Sequence, residues 1–530
     1  MNNQKSGMIL SRLIAVLFAA FIGMLAVLSV FMHCETDIYD YGHAKSVVSH
    51  TPYIYGGLAA GTAVLVMLLC AFLERICARP ERGEKAARIV FYGCGAALAL
   101  AGICWILFHD ELPFYDQFDV YQEARRLAGV LDEPFDAGYF SVFHRNRGIA
   151  LFVSIAVRIF GDHLYSFQIF NLFAAFLIYY SVCRASRLIF RNPVVEMLTS
   201  LMMLLCYPVI VYITFIYGTL WSIALTSLGL YGTAAWHETG KRRYAVMMMI
   251  SFPLGILMHQ SAAIGFAASA LYLVMAGGKK RLAEYLLVIA LTAGLVFVSM
   301  KTVNMVYTGI TGVSREADPI PVTCTIYMGL TSTEGSGGPG SQDGSYGDIF
   351  VENNRDGKAA GRDAVRRILT VTQEYLTGRR SLSFFLEKTQ YQWLDPTFGA
   401  RKIIRTEGAG QGIMAHEDAY RAFYDSPFRT AVFKFSTGGM LFLYCAVFVT
   451  GLYAVYDGKK YPQASLIRIY VLGGCAFQLL WESLSRYCLG YFIWLIPLAA
   501  AGGYMLYGKC GRRFGGGKLT EKIELNQKRE

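Results

Sequence analysis

The run MILSRLIAVLFAAFIGMLAVLSVFM, Met8 to Met32, carries one charge, Arg12. As a helix it is long enough for the hydrocarbon core of a bilayer, which is roughly 30 Å thick and is crossed by about 20 apolar residues. Tyr53 to Leu73 and Ile89 to Phe108 carry no charge and read the same way. Lipid is the solvent such segments are built for. The rest of the chain agrees: of 530 residues 55% are hydrophobic and 16% charged, with a mean hydropathy of +0.39. That is too apolar for the several soluble domains this length would otherwise make. A soluble enzyme and a disordered scaffold are excluded, and so is a membrane β-barrel, whose strands alternate over about ten residues. The first span lacks a small-residue cleavage site, so it is expected to be a retained helix rather than a removed signal peptide.

Working outward, twelve such spans can be laid down, at 8–32, 53–73, 89–108, 164–183, 194–213, 216–235, 244–258, 260–276, 282–304, 431–454, 465–483 and 487–507. Apart from Arg12, Arg158 and Lys301 near proposed ends, the apolar segments are expected to carry almost no midplane charge. The net charge of +11 sits in short clusters between spans: Arg75 to Arg88, Arg184 to Arg191, Lys241 to Arg243, Lys279 to Arg281, Lys459 with Lys460, and the tail from Lys509. All fall on one side if the amino terminus, with Lys5 and Arg12, is inside. This is the cytoplasmic-loop pattern, so both termini are expected in the cytoplasm and no nucleic-acid partner is expected. The outer segments are then 33–52, 109–163, tight turns near 214–215, 259 and 484–486, and 305–430. The last holds 14 Lys plus Arg against 15 Asp plus Glu, a neutral balance that fits the outer side. Gly148 to Phe160 is apolar but too short for a span and reads as an interfacial or re-entrant helix. The 12 cysteines are scattered without a CxxC pair and read as membrane-packing residues, with only Cys34 and Cys324 facing outward.

The expected architecture is an all-α polytopic membrane protein, a bundle of about twelve transmembrane helices with interfacial helices and two large outer loops. Its parts are the first three transmembrane helices (1–108), a first outer loop (109–163), a central bundle (164–304), a second outer region (305–430), the last three helices (431–507) and a basic cytoplasmic tail (508–530).

The first outer loop is more than linker. Asp119 to Leu131 has helical spacing, with Val120, Ala124, Leu127, Ala128 and Leu131 on one face and Gln122, Glu123, Arg125 and Arg126 opposite, as in a helix lying on the membrane surface. Asp116 stands just ahead of it, after Pro113 and two aromatics, so a carboxylate sits at a helix amino end, where it is either a cap or a functional group. His144, Arg145 and Arg147 precede the short apolar helix. Guanidinium forks and free helix-start N–H groups both favour a phosphate, while lipid headgroups are the other natural partner. The second outer region opens with a Gly-rich run, GSGGPGSQDGSYG at 335–347, which reads as a flexible loop or lid, followed by helices near Ala359 to Leu376 and Ser383 to Trp393. It has no metal-ligand spacing and no phosphate loop.

Two further turns bring polar groups to the outer edge, His259-Gln260-Ser261 and the run WESLSRY with Trp481, Glu482, Arg486 and Tyr487. Glu482 and Arg486 are four apart and would pair on a continuous helix. Parity places Asp116, His144, Arg145, Arg147, His259 and Arg486 on one side of the bilayer. A carboxylate beside cations at a lipid interface suits an anionic lipid-linked substrate.

With these residues in view, the chain resembles the GT-C membrane glycosyltransferases, near the protein mannosyltransferase-like and bacterial lipid-linked-sugar branches. The resemblance is carried by Asp116-Gln117 ahead of a surface helix with Ala124 and Gly129, then Tyr139-Phe140, Arg147-Gly148 and Phe160-Gly161. It continues with Tyr327-Met328-Gly329 opening the large loop, and with Trp481-Glu482 and Arg486-Tyr487 before the last helix. It implies a bacterial plasma-membrane enzyme with its active site on the outer face and a polyprenyl-phosphate-linked sugar as donor. The acceptor hydroxyl would belong to a glycan, lipid or protein. Asp116 would be the catalytic carboxylate, with Asp119 its rival. Arg145, Arg147, Arg486 and His144 would meet the donor phosphate, and His259, Gln260, Glu482 and Tyr139 are further site candidates. This chain departs from the pattern in two places. Phe143-His144-Arg145-Asn146 stands where many relatives have a Pro-containing motif. Tyr217-Gly218-Thr219 stands where many have a second acidic residue. No cofactor is certain. A divalent Mg or Mn is possible only with more than one fixed oxygen ligand, so metal dependence is left open.

Two rival classes are weighed. A transporter or lipid flippase would show midplane charge, broken helices and often an internal repeat, and no convincing repeat is visible. A polysaccharide polymerase or ligase would favour several loop arginines over one carboxylate.

Overall fold

The computed structural model of the chain describes residues 2–39, 43–49, 52–109, 113, 116–135, 138–312, 318–332, 338–400, 427–456 and 462–513. Phe114, Tyr115, residues 335–337, Lys459, Lys460 and the tail from 514 lie outside these. The apolar runs become helices. The chain starts with α1 (Asn2–Phe31), α2 (Pro52–Ile76) and α3 (Pro80–Phe108). Between α1 and α2 lies an antiparallel hairpin of β1 (His33–Tyr39) and β2 (His43–Ser49), the only strand pairing among the described residues. No apolar pattern announces it.

The first outer segment folds as α4 (Asp116–Ala128), the single turn α5 (Tyr139–Val142) and α6 (Arg147–Phe160). The central bundle follows: α7 (Leu164–Phe190), α8 (Pro193–Leu204), α9 (Tyr207–Val211), α10 (Thr219–Thr239), α11 (Arg242–Met258), α12 (Ala262–Ala276) and α13 (Lys279–Thr311). The second outer region holds α14 (Val322–Thr331), α15 (Ser345–Glu352), α16 (Gly357–Leu376) and α17 (Ser383–Trp393). Its helices bury two small clusters of their own, one around Cys324, Phe350 and Ala364 and one around Leu330, Val371 and Phe384. It is a packed lobe rather than a loop. The bundle closes with α18 (Pro427–Tyr456), α19 (Ala464–Leu480) and α20 (Leu489–Arg513).

Helix ends follow local chemistry. Proline opens α3 and α8, where its missing N–H is not needed. The Asn192 side chain caps α8 by accepting from the N–H of Val194 at 2.8 Å and of Val195 at 3.3 Å. A Cβ on Gly218 would stand 1.9 Å from the Met258 carbonyl oxygen, and one on Gly148 2.4 Å from that of Leu257. The end of α11 thus meets the starts of α6 and α10 backbone to backbone, which draws the His259 turn against both.

Among the described residues seven helices are long and apolar enough to cross a membrane, or eight if the pair Pro193–Leu204 and Tyr207–Thr214, bent by 51°, is one span. The chain is a multi-pass helical membrane protein. All twelve apolar segments are helical, but four are shorter or more polar than the others. Helices α11 and α19 have 17 residues each and α12 has 15, so they reach only about 23–26 Å. Helix α10 is long enough, but Ser222, Thr226, Ser227 and Thr233 interrupt its apolar surface. Glu196 and Arg468, each near the start of its apolar segment, are only 2% and 4% exposed.

Candidate functional site

Helix α4 starts at Asp116, so Asp116 and Asp119 both lie in its first turn, where the helix dipole favours carboxylates. It ends at Ala128, three residues before the expected limit of 131. Its buried face carries Val120, Ala124 and Leu127 as expected, and also Gln117 and Glu123. The Gln117 side-chain oxygen accepts from the Ile216 N–H at 2.9 Å, pinning the helix start to the bend before α10. Glu123, expected on the polar face, is fully buried and accepts from the Tyr307 hydroxyl and from Arg126. Arg125 pairs with Asp162 at 2.8 Å. These bonds fasten α4 to α6 and α13. Helix α6 has 14 residues, about 21 Å, too short to cross.

Three segments far apart in the chain meet in front of this helix start. From the 3-10 turn His144–Asn146, Arg145 lies over the Phe143 ring at 5.1 Å, and Phe143 stacks on Tyr346 at 6.3 Å. Asn146 donates to the Tyr139 hydroxyl at 2.6 Å and accepts from that of Tyr217 at 3.3 Å. From the other end of the chain come Glu482 and Arg486. The pairing expected of residues four apart does not form, because α19 stops at Leu480 and a separate 3-10 turn begins at Ser485. The Tyr487 hydroxyl stands between them instead, donating to Glu482 at 3.2 Å and accepting from Arg486 at 3.2 Å. The Arg486 guanidinium lies over Phe215 at 5.8 Å, and its buried Nε has no hydrogen-bond partner among the described residues. His259 packs against Tyr487 at 5.8 Å and Tyr217 at 6.3 Å. Its Nδ1 shares a 2.8 Å hydrogen bond with the Ser261 hydroxyl. A cavity of about 20 Å³ beneath, lined by Thr219, Ser222, His259, Ser261, Arg486 and Tyr487 among others, has room for about one water.

The electrostatics make this one site. Burial pushes the phenols of Tyr139, Tyr217 and Tyr346 up; the Asp116 charge adds to this and Arg145 opposes it in each case. Burial likewise raises the Glu482 carboxyl, with Arg486 and Arg145 pulling it down and Asp116 pushing it up. Burial, then Arg486 and Arg145, hold His259 well below its ordinary value. It is therefore neutral at pH 7 and acts as a hydrogen-bonding ring, not as a cation for a phosphate.

Asp116, Tyr139, Arg145, His259, Glu482 and Arg486 thus come together. Asp116 bears on the three tyrosines and on Glu482. Arg147 is elsewhere. It is 1% exposed, donates to the Phe140 carbonyl at 3.1 Å and to Asn304 at 3.2 Å, and lies over Tyr307 at 4.8 Å. It holds α6 against α13, so the expectation that it meets a phosphate is corrected. His144 shares the turn with Arg145 but turns its Nε2 into the protein. Gln260 serves the turn through its carbonyl, which accepts from the Ala263 N–H at 3.0 Å.

No protein-family model matches the chain, and no curated protein matches it.

The argument for the site therefore rests on its own chemistry. Two carboxylates, Asp116 and Glu482, and two guanidiniums, Arg145 and Arg486, cluster with Tyr139, Tyr217 and Tyr346. For a metal the residues fit poorly: among the described residues no three His, Cys, Asp or Glu side chains converge to hold an ion, and Asp116 and Glu482 already face two arginines.

Sequence reasoning missed how the second outer region completes the site. In the run 338–347 the Gly340 N–H donates to the Ser332 carbonyl and its own carbonyl accepts from the Ser483 N–H, so this part of the Gly-rich stretch is stitched down beside Glu482. Residues 394–400 form a plug buried in the bundle. The Asp395 carboxylate accepts from Thr397, the Gly399 N–H and, at 2.7 Å, Ser485, next to Arg486. Lys388, fully buried, gives its ammonium to the carbonyls of Gly329, Leu479 and Trp481. The last two belong to the exit of α19, where a cation is favoured, and all three donors are used.

Removing Lys388 orphans three buried carbonyls, at about 1–3 kcal/mol each. Lys388→Met is expected to destabilise the protein by at least about 2 kcal/mol and to loosen Glu482. Burial pushes this amine down to about 7, against an unfolded value near 10.4. Between those values the folded chain binds one proton fewer, so wild-type stability rises with pH across that window. Thermal midpoints in detergent at several pH values check this. The Met variant is expected to lack that slope, and parallel curves contradict the assignment.

Proposed function

We propose that this chain is an integral membrane glycosyltransferase that moves a sugar from a polyprenyl-phosphate donor to an acceptor hydroxyl at the outer face of a bacterial plasma membrane. The observation that supports this most is the convergence of Asp116, Arg145, Glu482 and Arg486 in one tyrosine-rich cluster at the helix ends. A carboxylate and a pair of guanidiniums are what a phosphate-linked donor needs from its enzyme, because the donor carries its own leaving group.

In this reading the acceptor oxygen attacks the anomeric carbon while its proton passes to Asp116. The bond from that carbon to the phosphate oxygen breaks, and the configuration inverts. The leaving polyprenyl phosphate carries one more negative charge than the diester did, and Arg145 and Arg486 meet it as a preorganised clamp. The lipid tail lies between helices. Helices α10, α11, α12 and α19 complete the count of twelve crossings that puts both termini inside and the site outside. The donor set supports a reaction without a metal.

The test incubates the purified protein in lipid with radiolabelled polyprenyl-phosphate sugars, with and without a chelator. Transfer that survives chelation is the expected result. Absence of transfer to glycan, lipid or protein hydroxyls from every donor contradicts the reading, and transfer abolished by chelation contradicts the metal-free step.

A further inference from the structure

Arg468 lies in the first turns of α19, about 18 Å along the helix axis from its exit at Leu480, and so at the end of the bundle away from the Asp116 cluster. It is 4% exposed. Its Nε is buried without a hydrogen-bond partner, and no carboxylate pairs with its guanidinium among the described residues. Acids elsewhere on neighbouring helices are engaged by others: Glu238 by Arg191 and Gln463, Glu196 by Arg187, and Glu74 by Tyr504 and Tyr507. An arginine does not lose its proton inside a protein, and a buried charge without a counter-charge is strongly unfavourable. Arg468 lines a cavity with Phe190, Thr450, Tyr453, Leu498 and Met505, at the far ends of α7, α18 and α20. The cavity offers about 10 Å³, room for a single oxygen rather than a whole headgroup.

We propose that this cavity is a second, anionic site, in which Arg468 receives one oxygen of a phosphate at the membrane face opposite the Asp116 cluster. The guanidinium is weakly hydrated and matches phosphate geometry, so it suits a desolvated contact of this kind. The phosphate comes either from a membrane lipid headgroup or from solution. The site stands apart from the proposed transfer reaction and does not depend on it.

The test uses the full chain in a phosphate-free maltoside detergent alone, with phosphatidylglycerol added, and with inorganic phosphate added. Wild type and Arg468→Met are compared by thermal midpoint and by native mass spectrometry of retained lipid. The expected result is that phosphatidylglycerol raises the wild-type midpoint by several degrees and leaves the Met variant unmoved, with one more phosphatidylglycerol retained by wild type. An equal rise with inorganic phosphate assigns the site to soluble phosphate. Equal responses of the two chains in both anionic arms overturn the proposal. If the Met chain does not accumulate, Arg468→Lys serves instead. It keeps the charge without the fork and is expected to bind at least about tenfold more weakly; unchanged binding overturns the proposal.

Discussion

Asp116→Asn is expected to lower sugar transfer by about 10²–10⁴-fold, the range over which a positioned general base contributes, with expression and membrane insertion unchanged. The asparagine keeps the size and the place in the first turn of α4 but cannot take the acceptor proton. The Asp116 charge reaches Tyr139, Tyr217, Tyr346 and Glu482, and Asp119 lies in the same first turn of α4. Asp119→Asn is expected to stay within a few-fold of wild type. Initial rates with a radiolabelled donor separate the outcomes. A near-fully active Asp116→Asn with an inactive Asp119→Asn moves the base by one turn, and full activity in both variants removes the mechanism.

Arg486→Ala is expected to lower kcat/KM for the donor by about 10²–10³-fold, the cost of removing one preorganised donor aimed at developing charge. The side chain sits over Phe215 and Tyr487 with its buried Nε unpartnered, so the fold has fixed its place and left donor capacity for a ligand. Tyr487→Phe is the control. It removes the hydroxyl that bridges Glu482 and Arg486 while keeping the ring, so it reports how much of the loss comes from positioning. An apparent donor affinity that does not move in Arg486→Ala takes this residue out of the phosphate site.

Much of this was legible in the sequence because lipid imposes a simple rule: a backbone without water must be helical, and apolar runs mark where. The approximate placement of the apolar helices follows from that rule, and the helix after Pro113 from its own apolar spacing. What the pattern could not carry is tertiary. Glu482 and Arg486 have perfect helical spacing, yet the end of α19 at Leu480 separates them, and no spacing rule sees that break. Arg147 reads as a phosphate ligand until Asn304 and Tyr307, on a helix far along the chain, are found around it. Lys388 reads as an ordinary charged residue on an outer helix, and only the fold brings three carbonyls to it. The Gly-rich run suggests freedom, whereas in its described part the backbone is bonded to Ser332 and Ser483. The hairpin between α1 and α2 left no periodic trace at all.

The claim on which the account turns is that the Asp116 cluster faces the exterior. Asp132 is exposed in the stretch that follows α4, so a cysteine placed there reports the side. Intact cells carrying Asp132→Cys are treated with a membrane-impermeant maleimide, with the parent chain as the blank for its own cysteines. The account predicts labelling above the blank before permeabilisation. Labelling that appears only after the membrane is opened would place the carboxylate in the cytosol and contradict it.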